Sequence, residues 1–161
     1  MSGTHGGRAR VVRAWLAVAV WASVVWMLGG DTFSAAFTAK ILRPIIEFFL
    51  PDFSRADMFL LLTAIRKASH VTVYGLLALL ILRALWIGSV QSLLVSVGLT
   101  TFLVAAMALA DETRQASSAV RTGSSWDVLL DVGGAAAVAA LLIGLRANRR
   151  RPLFAPERGP R

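Results

Sequence analysis

The chain has 161 residues, of which 57% are hydrophobic and only 16% are charged, and its mean hydropathy is +0.67. The apolar residues form long runs with few charges, whereas a helix of a soluble protein carries a charged face opposite its apolar stripe. These runs exclude an ordinary soluble domain and predict an integral membrane protein. The absence of cysteine excludes disulfides, cysteine zinc sites and thiol nucleophiles.

The formal net charge of +8 is concentrated near the two termini. Strongly basic chains often bind nucleic acid, because they attract its phosphate backbone. Here the excess lies at three arginines before residue 14 and in the C-terminal segment, where a membrane protein carries its cytoplasmic arginines. We therefore predict a basic cytoplasmic N-terminus over residues 1–10, a basic cytoplasmic tail over residues 147–161, and no nucleic-acid partner.

The first predicted span covers residues 11–28, close to the length of about 20 apolar residues that crosses a bilayer. Its basic start followed by an apolar run also resembles a secretory signal peptide. The run is long for a signal peptide, however, and the residues from Gly29 to Phe33 offer no small-x-small cleavage site. We predict a retained helix.

Residues 31–66 have a mixed composition that predicts one or two helices lying in the membrane interface. In the first of them, large apolar residues recur at helical spacing and alternate with charges until Pro51 interrupts the pattern. The apolar positions are Phe33, Phe37, Ile41, Ile45, Phe48 and Phe49, and the charged ones are Lys40, Arg43 and Glu47. A second short helix is predicted to begin at Ser54, which with Asp57 forms a variant of the capping box.

Three further spans are predicted at about residues 68–86, 89–110 and 126–145, which gives an all-α membrane protein with about four transmembrane helices. Together they form a membrane domain over residues 11–146. If both termini are cytoplasmic, ten of the 17 basic residues face the cytoplasm and eight of the nine acidic residues face the other side. The positive-inside rule therefore predicts a multi-pass protein of the inner (plasma) membrane with both termini in the cytoplasm.

Three polar groups are predicted to meet at the extracytoplasmic end of the spans. The first group lies on one helical face, the second closes the third span, and the third opens the fourth. They are Lys67, His70 and Tyr74; Asp111, Glu112 and Gln115; and Arg121, Asp127 and Asp131. Gln115 is expected to reach either acid one turn back. Asp131 lies deepest and needs a cationic partner, for which Lys67, Arg121 and His70 are the candidates.

The motifs that these groups form resemble those of the VanZ-like family of small bacterial membrane proteins. The matching pattern is Lys-x-x-His-x-x-x-Tyr, then Asp-Glu-x-x-Gln, then an arginine followed by Asp-x-x-x-Asn-x-x-Gly, supplied here by Lys67 to Tyr74, Asp111 to Gln115, Arg121, and Asp127 to Gly134. The resemblance covers about residues 10–146. The sequence departs at Asp131, where the family usually has asparagine. Membership implies a cell-envelope protein, and the family's founding member is associated with resistance to the glycopeptide antibiotic teicoplanin.

From these residues we expect a polar pocket that binds or processes an anionic, amphiphilic or lipid-linked envelope component. The candidates for proton exchange, and hence for catalysis, are His70, Asp111 and Glu112. The candidate ligand-binding residues are Lys67, Tyr74, Gln115, Arg121, Asp127 and Asp131. Whether the site is catalytic, and whether the protein forms oligomers, the sequence leaves open.

A noncatalytic interpretation of the same residues stays open beside the first. His70 would lock two helices by bonding an acid, Lys67 would extend to the headgroups, Asp127 would cap a helix with Ser124, and Tyr74 would pack between helices. The protein would then be a membrane scaffold or a partner-binding subunit. A proton-coupled transporter is disfavoured because the polar groups gather at one face. One histidine with oxygen ligands is a poor zinc signature, so we predict no metal and no cofactor. The sequence has no serine-hydrolase motif.

Overall fold

The computed structural model describes residues 3–30, 34–90, 92–117 and 125–149, and within them the chain forms five α-helices. Their bounds are α1 Gly3–Leu28, α2 Ala35–Phe49, α3 Arg55–Ile87, α4 Leu93–Ala116 and α5 Ser125–Arg149. The all-helical class predicted from the sequence is confirmed for these residues. Residues 150–161, which make up most of the predicted basic tail, lie outside the described part of the chain.

Serine side chains begin three of the helices. Ser54 caps α3 through the predicted capping box, since its hydroxyl accepts from the Asp57 amide at 3.2 Å and the Asp57 carboxylate accepts from the Ser54 amide at 3.2 Å. Ser34 and Ser92 cap α2 and α4 in the simpler way, each by accepting one backbone amide of the first turn. The caps satisfy amide groups that a helix start leaves without partners.

The third helix differs from the prediction, which placed a short interfacial helix at Ser54 and a separate span from residue 68. The structure instead has one continuous helix of 33 residues. The physical reason is that residues 66–69, Arg-Lys-Ala-Ser, contain no glycine or proline that would end a helix. At 1.5 Å per residue α3 is about 50 Å long, against about 30 Å for the hydrocarbon core of a bilayer.

Three helices are long and apolar enough to cross a membrane, which supports membrane association: Gly7–Leu28, Arg55–Ile87 and Leu93–Ala116. The predicted fourth span corresponds to α5, whose apolar segment Val128–Leu141 is shorter. Many large apolar side chains point outward from the bundle, among them Leu94 at 85% exposure and Phe102 at 68%. Such a surface is suited to lipid contact.

Helix α2 is the one separate helix between α1 and α3. It ends at Phe49, before Pro51, as the sequence predicts. Its large apolar side chains stay exposed outside the bundle, from 41% at Phe37 to 80% at Phe48. An amphipathic helix of this kind is suited to the membrane interface.

Helix α3 is the centre of the bundle and contacts each of the other four helices, while α4 also packs on α5. Its buried face, which includes Leu77, Ala78 and Ile81, meets Val25 of α1 and Val104 of α4 in one apolar core. The two helices that start at the same end, α3 and α5, run parallel and pack closely at Gly134. A Cβ atom on Gly134 would lie 2.9 Å from the Val71 carbonyl oxygen and 3.2 Å from the Val71 Cα. Small residues at such crossings let two helix backbones approach each other.

We therefore predict that Gly134→Ala destabilises the protein, because α3 and α5 must move apart to admit the methyl group. The expected loss is about 1–3 kcal/mol, the usual range for overpacking. Gly133→Ala is the matched control, since a Cβ atom there meets nothing within 4 Å. Thermal unfolding of the detergent-purified variants checks this: the midpoint should fall for Gly134→Ala and hold or rise slightly for Gly133→Ala. Equal midpoints would contradict the close crossing.

Candidate functional site

The first part of the site is built around Asp111, a carboxylate that is only 3% exposed near the end of α4. Its Oδ2 accepts a hydrogen bond from Gln115 Nε2 at 2.8 Å, and its Oδ1 forms an ion pair with Arg114 Nη2. The expected contact of Gln115 with an acid one turn back is confirmed, and the acid is Asp111. These contacts supply the partners that a buried carboxylate needs.

Arg114 also ties α4 to the end of α1. Its Nη2 donates to the Trp26 carbonyl oxygen at 2.8 Å, and its guanidinium lies 4.4 Å from the centre of the Trp26 ring. Planar stacking on an aromatic face is a property of arginine that lysine lacks. The sequence prediction missed this cation, although its spacing of three residues from Asp111 on one helix is a signal for a pair.

Gly29, just after α1, lies directly against the Asp111 carboxylate. A Cβ atom built on Gly29 would overlap both carboxylate oxygens. Only glycine therefore lets the end of α1 approach this acid so closely.

The second part of the site joins α3 to α5. His70 Nδ1 lies 3.0 Å from Asp131 Oδ1, and the two side chains are 16% and 4% exposed. The expected need of Asp131 for a partner is met by His70, one of the three candidates. In the neutral tautomer that donates from Nδ1, the basic position of the ring is Nε2. The Tyr74 ring stacks one turn further along α3, with its centre 6.3 Å from that of His70 and an interplanar angle of 14°.

These residues border a cavity of about 710 Å³ that is lined by α1, α2, α3 and α4. The size lies within the range of about 300–1,000 Å³ that is usual for small-molecule sites. Its walls are apolar at Val25, Leu28, Phe59, Leu62, Ile65 and Val73. Four cations also line it, namely Arg43, Arg55, Arg66 and Lys67, whereas Asp111 is the single acid in the described lining.

Tyr74 and Asp111 are the buried polar members of the lining, with 2% and 3% exposure. Asp111 faces the Tyr74 hydroxyl, but the hydroxyl makes no hydrogen bond within the described residues. The polar end of the cavity thus presents an acceptor and an unused hydroxyl side by side.

Of the predicted site residues, the structure brings four to the cavity wall: Lys67, His70, Tyr74 and Asp111. Gln115 and Asp131 lie behind them and hold Asp111 and His70. Glu112 is half-buried and is not part of the described lining. Arg121 and the side chain of Asp127 lie outside the described residues.

Three of the lining cations, Arg43, Arg55 and Arg66, were not among the predicted site residues. Their segment was interpreted as interfacial, and their charge alone does not separate a cavity wall from a lipid-facing surface. The described residues contain no group of three or more His, Asp or Glu side chains placed to hold a metal ion.

The fold and the site define a helical, membrane-associated protein with a basic cavity beside two paired, buried carboxylates. Comparison of the chain with known protein families, with curated proteins and with solved structures finds no match. The resemblance to the VanZ-like family accordingly rests on the sequence motifs.

The His70–Asp131 geometry predicts different costs for two substitutions at Asp131. Asp131→Asn keeps an oxygen that accepts from His70 and should lower the free energy of unfolding by less than about 1 kcal/mol, whereas Asp131→Leu leaves a buried donor without its acceptor and should cost about 1–3 kcal/mol. Denaturant or thermal unfolding in detergent checks the order. If Asp131→Leu is no more destabilising than Asp131→Asn, the side-chain oxygen at this position does not stabilise the fold by accepting from His70.

Proposed function

We propose that this protein is a VanZ-like multi-pass protein of the bacterial plasma membrane, and that its cavity binds or processes an anionic or lipid-linked component of the cell envelope. The observation that carries the proposal is the composition of the described cavity lining, which has four cations and one acid. That acid is already paired with Arg114 and bonded to Gln115, so the excess of cations in the described wall favours an anionic ligand.

The composition of the wall favours an amphiphile over a free anion. Arginine and lysine side chains bind phosphate and carboxylate groups well, because their donors are charged. The apolar stretch formed by Phe59, Leu62 and Ile65 lies in the same wall and offers contact to an acyl or prenyl chain. A small hydrophilic anion would leave this apolar part of the cavity unused.

The proposal places the cavity on the extracytoplasmic side. The end of α1, the end of α4 and the contact between α3 and α5 meet at the same end of the bundle. With the arginine-rich termini in the cytoplasm and α5 as the fourth span, that end faces the envelope. The VanZ-like resemblance adds a link to glycopeptide resistance as part of the proposal.

If the ligand is processed, His70 is the strongest of the three candidates for the general base. It lines the cavity, and a buried carboxylate orients its ring, the arrangement that a histidine acting as general base requires. Asp111 lines the cavity as well but is held by two partners. Glu112, outside the described lining, has the weakest support of the three.

A second candidate function is favoured by the same two carboxylates. Asp131 joins α5 to α3, and the Asp111–Arg114 pair joins α4 to α1 through Trp26. These contacts suit a structural charge lock in a noncatalytic scaffold or partner-binding subunit. In that case the cations of the cavity wall would not be needed for binding an anionic ligand.

Lys67→Gln tests the first candidate, with Lys40→Gln as a matched control. Lys40 and Lys67 are the two lysines of the chain; both are exposed, and only Lys67 lines the cavity. We expect Lys67→Gln to weaken binding of dihexanoyl phosphatidic acid about threefold to tenfold, since one charge-assisted contact of an exposed group is lost. Lys40→Gln should change the affinity by less than about twofold. The measurement is the dissociation constant of the detergent-purified full chain.

The zwitterionic dihexanoyl phosphatidylcholine serves as the second probe and should bind more weakly than phosphatidic acid. If wild type binds both probes equally, or if the two lysine variants behave alike, the anion-binding proposal is wrong and the structural lock is favoured.

A further inference from the structure

At the polar end of the cavity, the buried hydroxyl of Tyr74 has no hydrogen-bond partner among the described residues. The residue is 2% exposed and lines the cavity. A phenol group can donate one hydrogen bond and accept others. A buried hydroxyl that makes no such bond costs free energy until a partner arrives. The hydroxyl is therefore poised to bond a ligand atom.

Asp111 supplies the complementary acceptor. Its Oδ1 contacts Arg114 and its Oδ2 accepts from Gln115, so each oxygen has one partner in the described structure. A carboxylate oxygen has two lone-pair sites, which leaves each oxygen able to accept another donor. The Asp111 carboxylate lies beside the Tyr74 hydroxyl in the cavity wall, close enough for a direct electrostatic interaction, although the pair does not meet hydrogen-bond geometry.

A ligand group that contacts both side chains can donate to Asp111 and use the same oxygen to accept from Tyr74. An alcohol hydroxyl does both, whereas a fully ionised phosphate oxygen only accepts and would be repelled by the carboxylate. The anionic group of the ligand must consequently lie elsewhere, nearer the basic part of the wall. Lys67 lies on the same face of α3 as Tyr74, about 10 Å away along the helix axis, and its flexible stem lets the ammonium group adjust to the position of a ligand anion.

We propose that the cavity selects a phosphate-linked polyol or sugar: its phosphate lies at the cations around Lys67, and one hydroxyl bridges Tyr74 and Asp111. This inference rests on the proposed function and adds the class of headgroup to it. A phosphate joined to a hydroxyl-bearing group occurs both in lipid headgroups and in soluble polyol phosphates. Probes of both kinds are therefore compared.

The test compares dihexanoyl phosphatidylglycerol with dihexanoyl phosphatidylpropanol, which has the same charge and the same number of headgroup carbons but no hydroxyl. Binding to the full chain in neutral detergent should favour phosphatidylglycerol about tenfold in wild type, and Tyr74→Phe should reduce this preference below about threefold. The preference is a ratio of two affinities on one sample, so a partly inactive preparation does not distort it.

Thr100→Val is the matched control. The Thr100 hydroxyl is also buried and also makes no hydrogen bond in the described structure, but it does not line the cavity. Its removal should leave the preference for phosphatidylglycerol unchanged. Glycerol 3-phosphate is the soluble probe: binding that is sensitive to Tyr74→Phe and as tight as that of the lipid would support the same selection and assign it to a soluble ligand.

Two outcomes distinguish this inference from the proposed function. If both phospholipids bind with equal affinity and Lys67→Gln weakens both, the cavity binds anionic lipids and the hydroxyl selection is wrong. If neither phospholipid nor glycerol 3-phosphate binds, both proposals are overturned. A preference that survives Tyr74→Phe would also contradict the inference.

Discussion

The cost of burying a carboxylate among apolar helices is the constraint on which this structure depends. Asp111 and Asp131 are each 3% exposed, and a charged group in such surroundings must be paired. Each acid finds its partners in a way that joins helices: Asp131 through His70 of α3, and Asp111 through Arg114, which reaches back to α1. Both contacts lie at one end of the bundle, so pairing the acids also fixes how four helices meet there.

Pairing the acids has a consequence for the cavity beside them. Because Asp111 is held by Arg114 and Gln115, the cations that line the cavity are not needed to neutralise it. The described lining therefore carries more cations than acids, a composition that favours an anionic ligand. At the polar end the same carboxylate disfavours a second anion and favours a hydrogen-bond donor. A ligand whose anionic group lies at the cations and whose hydroxyl donates to Asp111 satisfies both conditions. The proposed function and the proposed headgroup class therefore describe the same ligand.

Local patterns in the sequence predicted the local structure well. They also predicted which polar side chains contact each other. The Ser54 capping box, the Gln115–Asp111 bond and the His70–Asp131 pair depend on spacing and on the cost of an unpaired charge, both visible in the sequence. The continuity of α3 was missed because a change of environment along a helix was mistaken for a break. Arg43 and Arg55 could not be assigned to the cavity, since that depends on how α2 folds back along α3.

The central claim is that a basic cavity opens on the extracytoplasmic side, and labelling of single cysteines tests it most directly. The chain has no cysteine of its own, so Thr63→Cys in the cavity wall and Ser89→Cys at the opposite end of the bundle give signals without background. A membrane-impermeant maleimide applied to intact spheroplasts should label Thr63→Cys and should reach Ser89→Cys only after permeabilisation. The reverse pattern would place the cavity in the cytoplasm and contradict the account.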